Sequence, residues 1–321
     1  MNRIPLAIVT GFLGSGKTTL IAHLLRDPAM AGALVIVNEF GEVGIDHDLL
    51  EASSDDTILL ANGCLCCTIR GNLVDTLLDV LDQVQQGRLR AFDRVITETS
   101  GVADPAPLLG FLLGTEGVMR RYRLQSVIAV CDCAAGAETL AAHPEAANQV
   151  RVADRLIATK SDLVSGGALA QFTALLRSMN PAAPIWPVVR GVIDVATLLG
   201  PDADIAPPPI GTASGHSHAE RFHAVVLTAT RPVDNAELVA IEACIRQHAG
   251  PHLLRLKGIL AVEDGGRHAV LQAAMMVVHP TEVLAGPPHG AGRIVLITDD
   301  AAPDGLIGAL AQFGLVDRSR C

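Results

Sequence analysis

Flat rings are scarce in this chain: Phe, Tyr and Trp together make up 3% of its 321 residues, with a single Tyr and a single Trp. Base-stacking platforms for nucleic acid need more than that. An Ala-rich and Leu-rich sequence produces the same scarcity by itself, so the low count assigns no function of its own. Basic charge is short too, with 24 Lys and Arg against 34 Asp and Glu, a net charge of -10 and no basic block. That balance argues against nucleic acid as the main partner. No apolar run reaches the ~18 residues of a membrane-spanning helix. Residues 1–14, although apolar, run into a glycine loop and not into a small-residue cleavage site. No membrane partner is expected, and the chain is expected in the cytoplasm. Cysteine is odd in number at 7, and the spacing of Cys64, Cys66 and Cys67 suits neither a secreted disulfide framework nor a paired CxxC zinc knuckle. Reduced thiols in a reducing compartment are expected.

Half of the residues are hydrophobic, enough for one full α/β domain and a smaller second one. Short β-branched runs, PLAIVT, ALVIVN, RVITE, SVIAVCD and RLIATK, alternate with helix-like stretches. Such runs read as strands of a mainly parallel sheet, buried on both faces and covered by helices. Near 200–220 the composition turns to PDADIAPPPIGTASGHSHAE, rich in Pro, Gly, Ser and Ala with no apolar period, which reads as a linker. FHAVVLTAT, a helical segment at 235–248, LLRLKGILAV, a short run near Ala269, RIVLITD and a closing helix near 306–313 follow it. The expected organisation is a P-loop domain at 1–198, a linker at 199–220 and a smaller α+β domain at 221–321.

GFLGSGKTT, running from Gly11 through Gly14, Ser15, Gly16, Lys17 and Thr18 to Thr19, fits G-x-x-x-x-G-K-[ST] between an expected strand and an expected helix. In that context the glycines let backbone N–H groups wrap phosphates, Lys17 reaches the β and γ oxygens, and the Thr18 hydroxyl can ligate Mg²⁺. Thr159, Lys160, Ser161 and Asp162 end a strand and resemble the guanine-reading N/T-K-x-D motif. A carboxylate at Asp162 can accept two hydrogen bonds that guanine offers and adenine does not, so GTP is favoured over ATP. Lys-x-Asp after a strand is also what a solvated helix cap looks like. In VITETSGVADP, Glu98 at a strand tip would hold Mg²⁺ directly or through water, and the Gly101 N–H would sense the γ-phosphate. Glu stands there in place of the usual Asp, which favours the water-mediated role.

NGCLCC at 62–67 places three cysteines within four residues. Together with GFLGSGKTT, NEFGEVGID, ETSGVADP, QVRVAD, TKSD and RLKGIL in this order, it makes nearly the whole chain resemble the CobW family of P-loop GTPases, relatives of the metal-insertion GTPases for urease and hydrogenase. C-x-C-C is the specific part. The resemblance implies a metallochaperone in which GTP hydrolysis is coupled to capture of a transition metal, Zn²⁺ or Co²⁺, and its delivery to a client metalloprotein. Hydrolysis is then slow until a client or a second copy in a homodimer completes the site. Cys64 and Cys66 can converge on one ion as thiolates, Cys67 joins or faces away, and thiolate-rich tetrahedral sites favour Zn²⁺ without excluding Co²⁺. Glu42, in a stretch where a nucleotide-sensing switch should lie, is the candidate exchangeable ligand. The other reading is that Glu39 and Glu42 are solvated loop acids.

Some relatives carry an acid where this chain has Val37, and any site using that acid is lost here. Thr159 replaces the Asn common in GTPases, so guanine preference should survive in weaker form. His216 and His218, with His223 nearby, are the whole of what corresponds to the relatives' His-rich arms; a lone H-x-H in a linker is more often solvated loop. Cys131 and Cys133 read as small buried hydrophobes, and Cys244 and Cys321 receive no role. Two other functions compete: a metal buffer or sensor regulated by GTP with incidental hydrolysis, and a P-loop kinase with redox-active thiols, against which TKSD speaks.

Overall fold

The computed structural model describes residues 3–37, 58–61, 73–200, 222–263, 266–288, 290–299 and 303–317, with Leu60 and Ala61 described by backbone alone. Two compact units emerge. One comprises Met1–Pro105, Thr115–Leu175 and Ile185–Gly200, the other Ala106–Gly114, Leu176–Pro184 and Pro201–Cys321.

In the first unit the β-branched runs become β1 (Ile4–Thr10), β2 (Ala33–Val37), β3 (Ile58–Ala61), β4 (Arg94–Glu98), β5 (Tyr122–Asp132), β6 (Arg155–Thr159) and β7 (Ile185–Pro187). They pair in parallel in the order β3-β2-β4-β1-β5-β6-β7. A parallel sheet must be covered on both faces, and β2 (ALVIV) is accordingly buried at every position. The helices of the chain segment spanning this sheet are α1 (Lys17–Leu25), α2 (Leu73–Gln85), α3 (Pro105–Gly114), α4 (Glu116–Met119), α5 (Gly136–Ala142), α6 (Pro144–Val152), α7 (Gly166–Met179) and α8 (Val195–Leu199). Leu20 and Leu24 of α1 pack with Val9, Val35, Ile96 and Ile157 in one core. Each such side chain contributes about 1.5–3 kcal/mol by leaving water. The loops after β1, β4, β5 and β6 leave the carboxyl ends of neighbouring strands, the edge where parallel sheets bind ligands.

The second unit carries β8 (Phe222–Ala229), α9 (Asn235–His248), β9 (Leu253–Ala261), β10 (Arg267–Ala274), β11 (Val277–Ala285), β12 (Gly292–Asp299), α10 (Asp304–Ala311) and β13 (Leu315–Asp317). Its sheet is antiparallel, in the order β11-β10-β9-β12-β8-β13. Ile241 and Ile245 of α9 and Leu310 of α10 pack on Leu227, Leu256 and Leu271. The architecture is a P-loop NTPase domain followed by an α+β domain, as the sequence pattern leads one to expect. Among the described residues no helix is long and apolar enough to cross a membrane.

β5 starts at Tyr122, four residues ahead of the apolar run read from sequence, because Tyr122 and Leu124 alternate inward with half-buried Arg123 and Gln125. Pro280 hides β11 from a pattern reading; the strand lies at a sheet edge, and its register shifts around Pro280. An edge bulge is where a strand tolerates proline.

Candidate functional site

The glycine loop turns because its glycines adopt backbone angles that other residues avoid: φ is 143° at Gly11, 72° at Gly14 and 95° at Gly16. At Gly11 space forbids a side chain as well, since a Cβ there would lie 2.4 Å from Val130 O of β5. Gly16 precedes α1, whose first backbone bond runs from Leu20 N–H to Gly16 O at 3.0 Å. The N–H groups ahead of it stand outside the helical ladder, the arrangement by which a helix start takes phosphate. Lys17 folds back over the loop, its Nζ donating to Gly11 O at 3.0 Å and Phe12 O at 3.3 Å.

β4 delivers Glu98 next to that helix start. Glu98 is 6% exposed, and the Thr18 hydroxyl donates to its Oε1 at 3.2 Å and Oε2 at 3.5 Å. A hydroxyl and a carboxylate this close form a hard, all-oxygen donor set of the kind Mg²⁺ takes, so the residues fit the ion. Thr99 anchors the loop that follows, its N–H donating to Val9 O at 3.0 Å and its hydroxyl to the Thr10 hydroxyl at 2.9 Å. Gly101 then meets the glycine loop directly: a Cβ at 101 would lie 2.7 Å from Leu13 N and 2.6 Å from Leu13 Cδ2. Only glycine allows that approach.

β6 brings in Thr159 and Lys160. The Thr159 hydroxyl lies 2.6 Å from Ser15 O and 3.2 Å from Cys131 O, tying β6 to the glycine loop and to β5. Lys160 sits at φ 55°, an angle strained for a residue with a side chain. Its Nζ thereby reaches Gly14 O at 3.0 Å and Asp132 Oδ2 at 2.6 Å. Asp162 follows in the 3₁₀ turn Ser161–Leu163 and is exposed, its carboxylate open to a solute beside the Lys160 stem. The loop after β7 closes this corner. Val188 O accepts from Ser161 N–H at 3.4 Å and Ser161 Oγ at 3.1 Å, and a Cβ at Gly191 (φ 71°) would lie 2.9 Å from Leu20 Cα.

The structure therefore places Gly11, Gly14, Ser15, Gly16, Lys17, Thr18, Thr19, Glu98, Gly101, Thr159, Lys160 and Asp162 along one edge of one sheet. Cys64, Cys66, Cys67, Glu42, His216, His218 and Cys321 lie outside the described residues. Val37, at the end of β2, pairs with Glu98 in the sheet and is 7% exposed. His223 belongs to β8 and Cys244 to α9. Cys131 and Cys133 are buried; burial pushes the Cys131 thiol up to about 12 and the Cys133 thiol up to about 11. Burial and a raised thiol value agree with the reading of both as small buried hydrophobes.

Three participants escaped the sequence reading: Asp132, which pairs with Lys160; the turn after β7; and Gln149, whose amide reaches the loop after β4. An acid closing an apolar strand signals the first. No local pattern marks the turn after β7, and Gln149, although it opens the QVRVAD stretch, gives no sign in the sequence of what its amide touches.

Residues 5–187 match the family model described as CobW/HypB/UreG, nucleotide-binding domain, and residues 222–313 match the model of the cobalamin synthesis protein cobW C-terminal domain. This chain belongs to the CobW/HypB/UreG family. It is similar to the zinc chaperone YjiA of Escherichia coli, 33% identical over 277 residues, covering 85% of this chain and 86% of that protein. To the zinc chaperone CobW of Pseudomonas aeruginosa it is 32% identical over 304 residues, covering 82% of this chain and 78% of that protein. The crystal structure of the Zn(II)-bound YjiA GTPase from E. coli superposes with a TM-score of 0.65 at 27% identity, over 98% of this chain and 99% of that one. Family membership thus agrees with what the loop, the β4 acid and the T-K-S-D turn build locally.

Proposed function

We propose that this chain binds and hydrolyses GTP and uses that cycle to capture a transition metal and deliver it to a client protein, with zinc as the cargo and cobalt as the ion the same thiolate chemistry also accepts. The observation that carries the GTP part is the corner where Thr159 and Lys160 are tied to Ser15 O and Gly14 O while Asp162 stays exposed beside them. A base held there is read by a carboxylate acceptor next to the loop that holds its phosphates. The metal part is supported by the Cys64, Cys66 and Cys67 cluster, with Glu42 as its exchangeable ligand, and by relatives named zinc chaperones. The domains of this reading are the GTPase at 1–198, the linker at 199–220 and the C-terminal domain at 221–321. It acts in the cytoplasm, where thiols stay reduced, and a client or a second copy of the chain completes the site for turnover.

In the reaction a water attacks the γ-phosphorus, the bond to the β–γ bridging oxygen breaks, and GDP leaves with the electron pair while the water's proton passes to phosphate. Little covalent chemistry falls to the protein, so positioning and charge do the work. Lys17 exchanges the two loop carbonyls it now holds for phosphate oxygens. The N–H groups of Gly14, Ser15, Gly16, Thr18 and Thr19 wrap the phosphate chain, and the Gly101 N–H meets the γ-phosphate. Thr18 and Glu98 would hold Mg²⁺, which when bound neutralises the charge of the β- and γ-phosphates.

The test is turnover and zinc affinity of the reduced full chain beside a Cys64→Ala, Cys66→Ala double variant. GTP should be hydrolysed at least about 10²-fold better than ATP, since adenine offers no donors to the Asp162 carboxylate and leaves it unpaired once the base covers it. Zinc affinity should collapse in the double variant. Equal use of ATP overturns the base assignment. Unchanged zinc affinity overturns the cargo site. Zinc binding that leaves turnover flat at every concentration points instead to a buffer or sensor.

A further inference from the structure

Helix α6 sits behind both working loops of the first unit. At its start, the His143 ring stacks on Phe12 of the glycine loop, centroids 4.3 Å apart and 25° between planes. Further along, Asn148 Nδ2 donates to Asp104 Oδ2 at 3.0 Å, and Gln149 Nε2 donates to Gly101 O and to Ala103 O, both at 3.0 Å. Gln149 is 1% exposed. Both of its partners are carbonyl oxygens and can only accept, which fixes the amide: nitrogen toward the loop, oxygen away from it.

Gln149 Oε1 and Ser15 Oγ have no hydrogen-bond partner among the described residues, and both residues line one cleft of about 430 Å³ counted out to its open mouth. The protein contacts of the amide are thus the two bonds on its nitrogen side. Those bonds fix peptide planes two residues apart in the short loop that presents Gly101, and on the loop's other side Gly101 abuts Leu13, with no room for a Cβ. The loop is gripped between the glycine loop and α6.

We propose that Gln149 is a positioning residue for GTP hydrolysis: it holds the loop after β4 so that Gly101 faces the terminal phosphate, and through α6 it ties that loop to the phosphate loop. The proposal rests on the GTPase reading above and adds to it a residue that touches neither the base corner nor Lys17. Its loss therefore spares nucleotide binding in general and strikes what depends on the third phosphate.

The experiment uses the full chain with Gln149→Met, which keeps the volume and removes the donors. Expected are GDP affinity within about twofold of the parent chain, kcat lowered about 10-fold for the two lost bonds, and a preference for a non-hydrolysable GTP analogue over GDP that shrinks toward one. If Gln149→Met fails to fold, Gln149→Asn, which keeps the amide and shortens its reach by one carbon, carries the same expectation. A purely structural role would lower melting temperature and GDP affinity together with no kcat-specific loss. That result, or a kcat within twofold of the parent, overturns the proposal. A parent chain that neither binds nor hydrolyses GTP overturns both this proposal and the reading beneath it, whereas an active parent matched by its variant overturns this one alone.

Discussion

Thr159 spends its hydroxyl on Ser15 O and Cys131 O. The residue that stands in place of the usual Asn therefore acts on the protein and leaves the base to its neighbours Lys160 and Asp162. In the function proposed above, guanine selectivity then rests on Asp162. Asp162→Asn should cost at least about 10²-fold in GTP affinity, two charged hydrogen bonds being worth about 1.5–3 kcal/mol each. Xanthosine triphosphate, which carries an oxygen in place of guanine's 2-amino group, should regain binding to that variant; competition titrations check both. Gly101→Ala should fold yet lose GTP turnover, because its methyl group must displace Leu13 of the glycine loop; steady-state hydrolysis beside an unchanged circular dichroism spectrum reads this. The thiols divide by environment. Burial raises Cys131 to about 12 and Cys133 to about 11. The stability these neutral thiols contribute is complete below the ordinary thiol value of 9.0 and is lost as pH rises beyond it. Iodoacetamide at pH ~8 should spare both in the native chain and label them after denaturation, with peptide mass spectrometry as the readout.

Elements that carry their own signals were legible in the sequence. β4 and the 235–248 helix fall where the periodicity puts them, and α9 opens with a capping box, Asp234 accepting from Glu237 N–H at 2.7 Å and Glu237 Oε2 from Asp234 N–H at 3.2 Å. Asp234→Ala should lower stability by about 1 kcal/mol in denaturant titrations. Elements whose existence depends on partners were not legible. β3, β7 and β13 are short strands whose pairing defines them, and β11 is interrupted by Pro280. The Gln149 contact is invisible for a related reason: it joins α6 to a loop 46 to 48 positions earlier in the chain. β5 offers a pH probe at its first residue. Tyr122, the single Tyr, donates to Leu77 O at 2.7 Å, and burial raises its phenol above the ordinary 10.0. A raised value means that its stabilising effect is complete below pH 10.0 and fades as pH climbs past it. Phenolate absorbance should therefore appear only together with unfolding in an alkaline titration.

At the scale of the whole molecule the phosphate-side groups all hang from the carboxyl edge of one parallel sheet, so the P-loop, the β4 acid and the T-K-S-D turn were readable as motifs before their geometry was known. The account's central claim is that nucleotide and metal are felt by one another. Coupling between two ligands is reciprocal and typically amounts to 5–150-fold in affinity. The direct measurement is zinc affinity of the reduced full chain with GDP and with a non-hydrolysable GTP analogue, repeated on the Cys64→Ala, Cys66→Ala variant. The account predicts a difference of about 5-fold or more between the two nucleotide states, matched by an equal zinc effect on the affinity for the GTP analogue relative to GDP, and no such difference in the variant. Zinc affinity that is the same in both nucleotide states of the intact chain would contradict it.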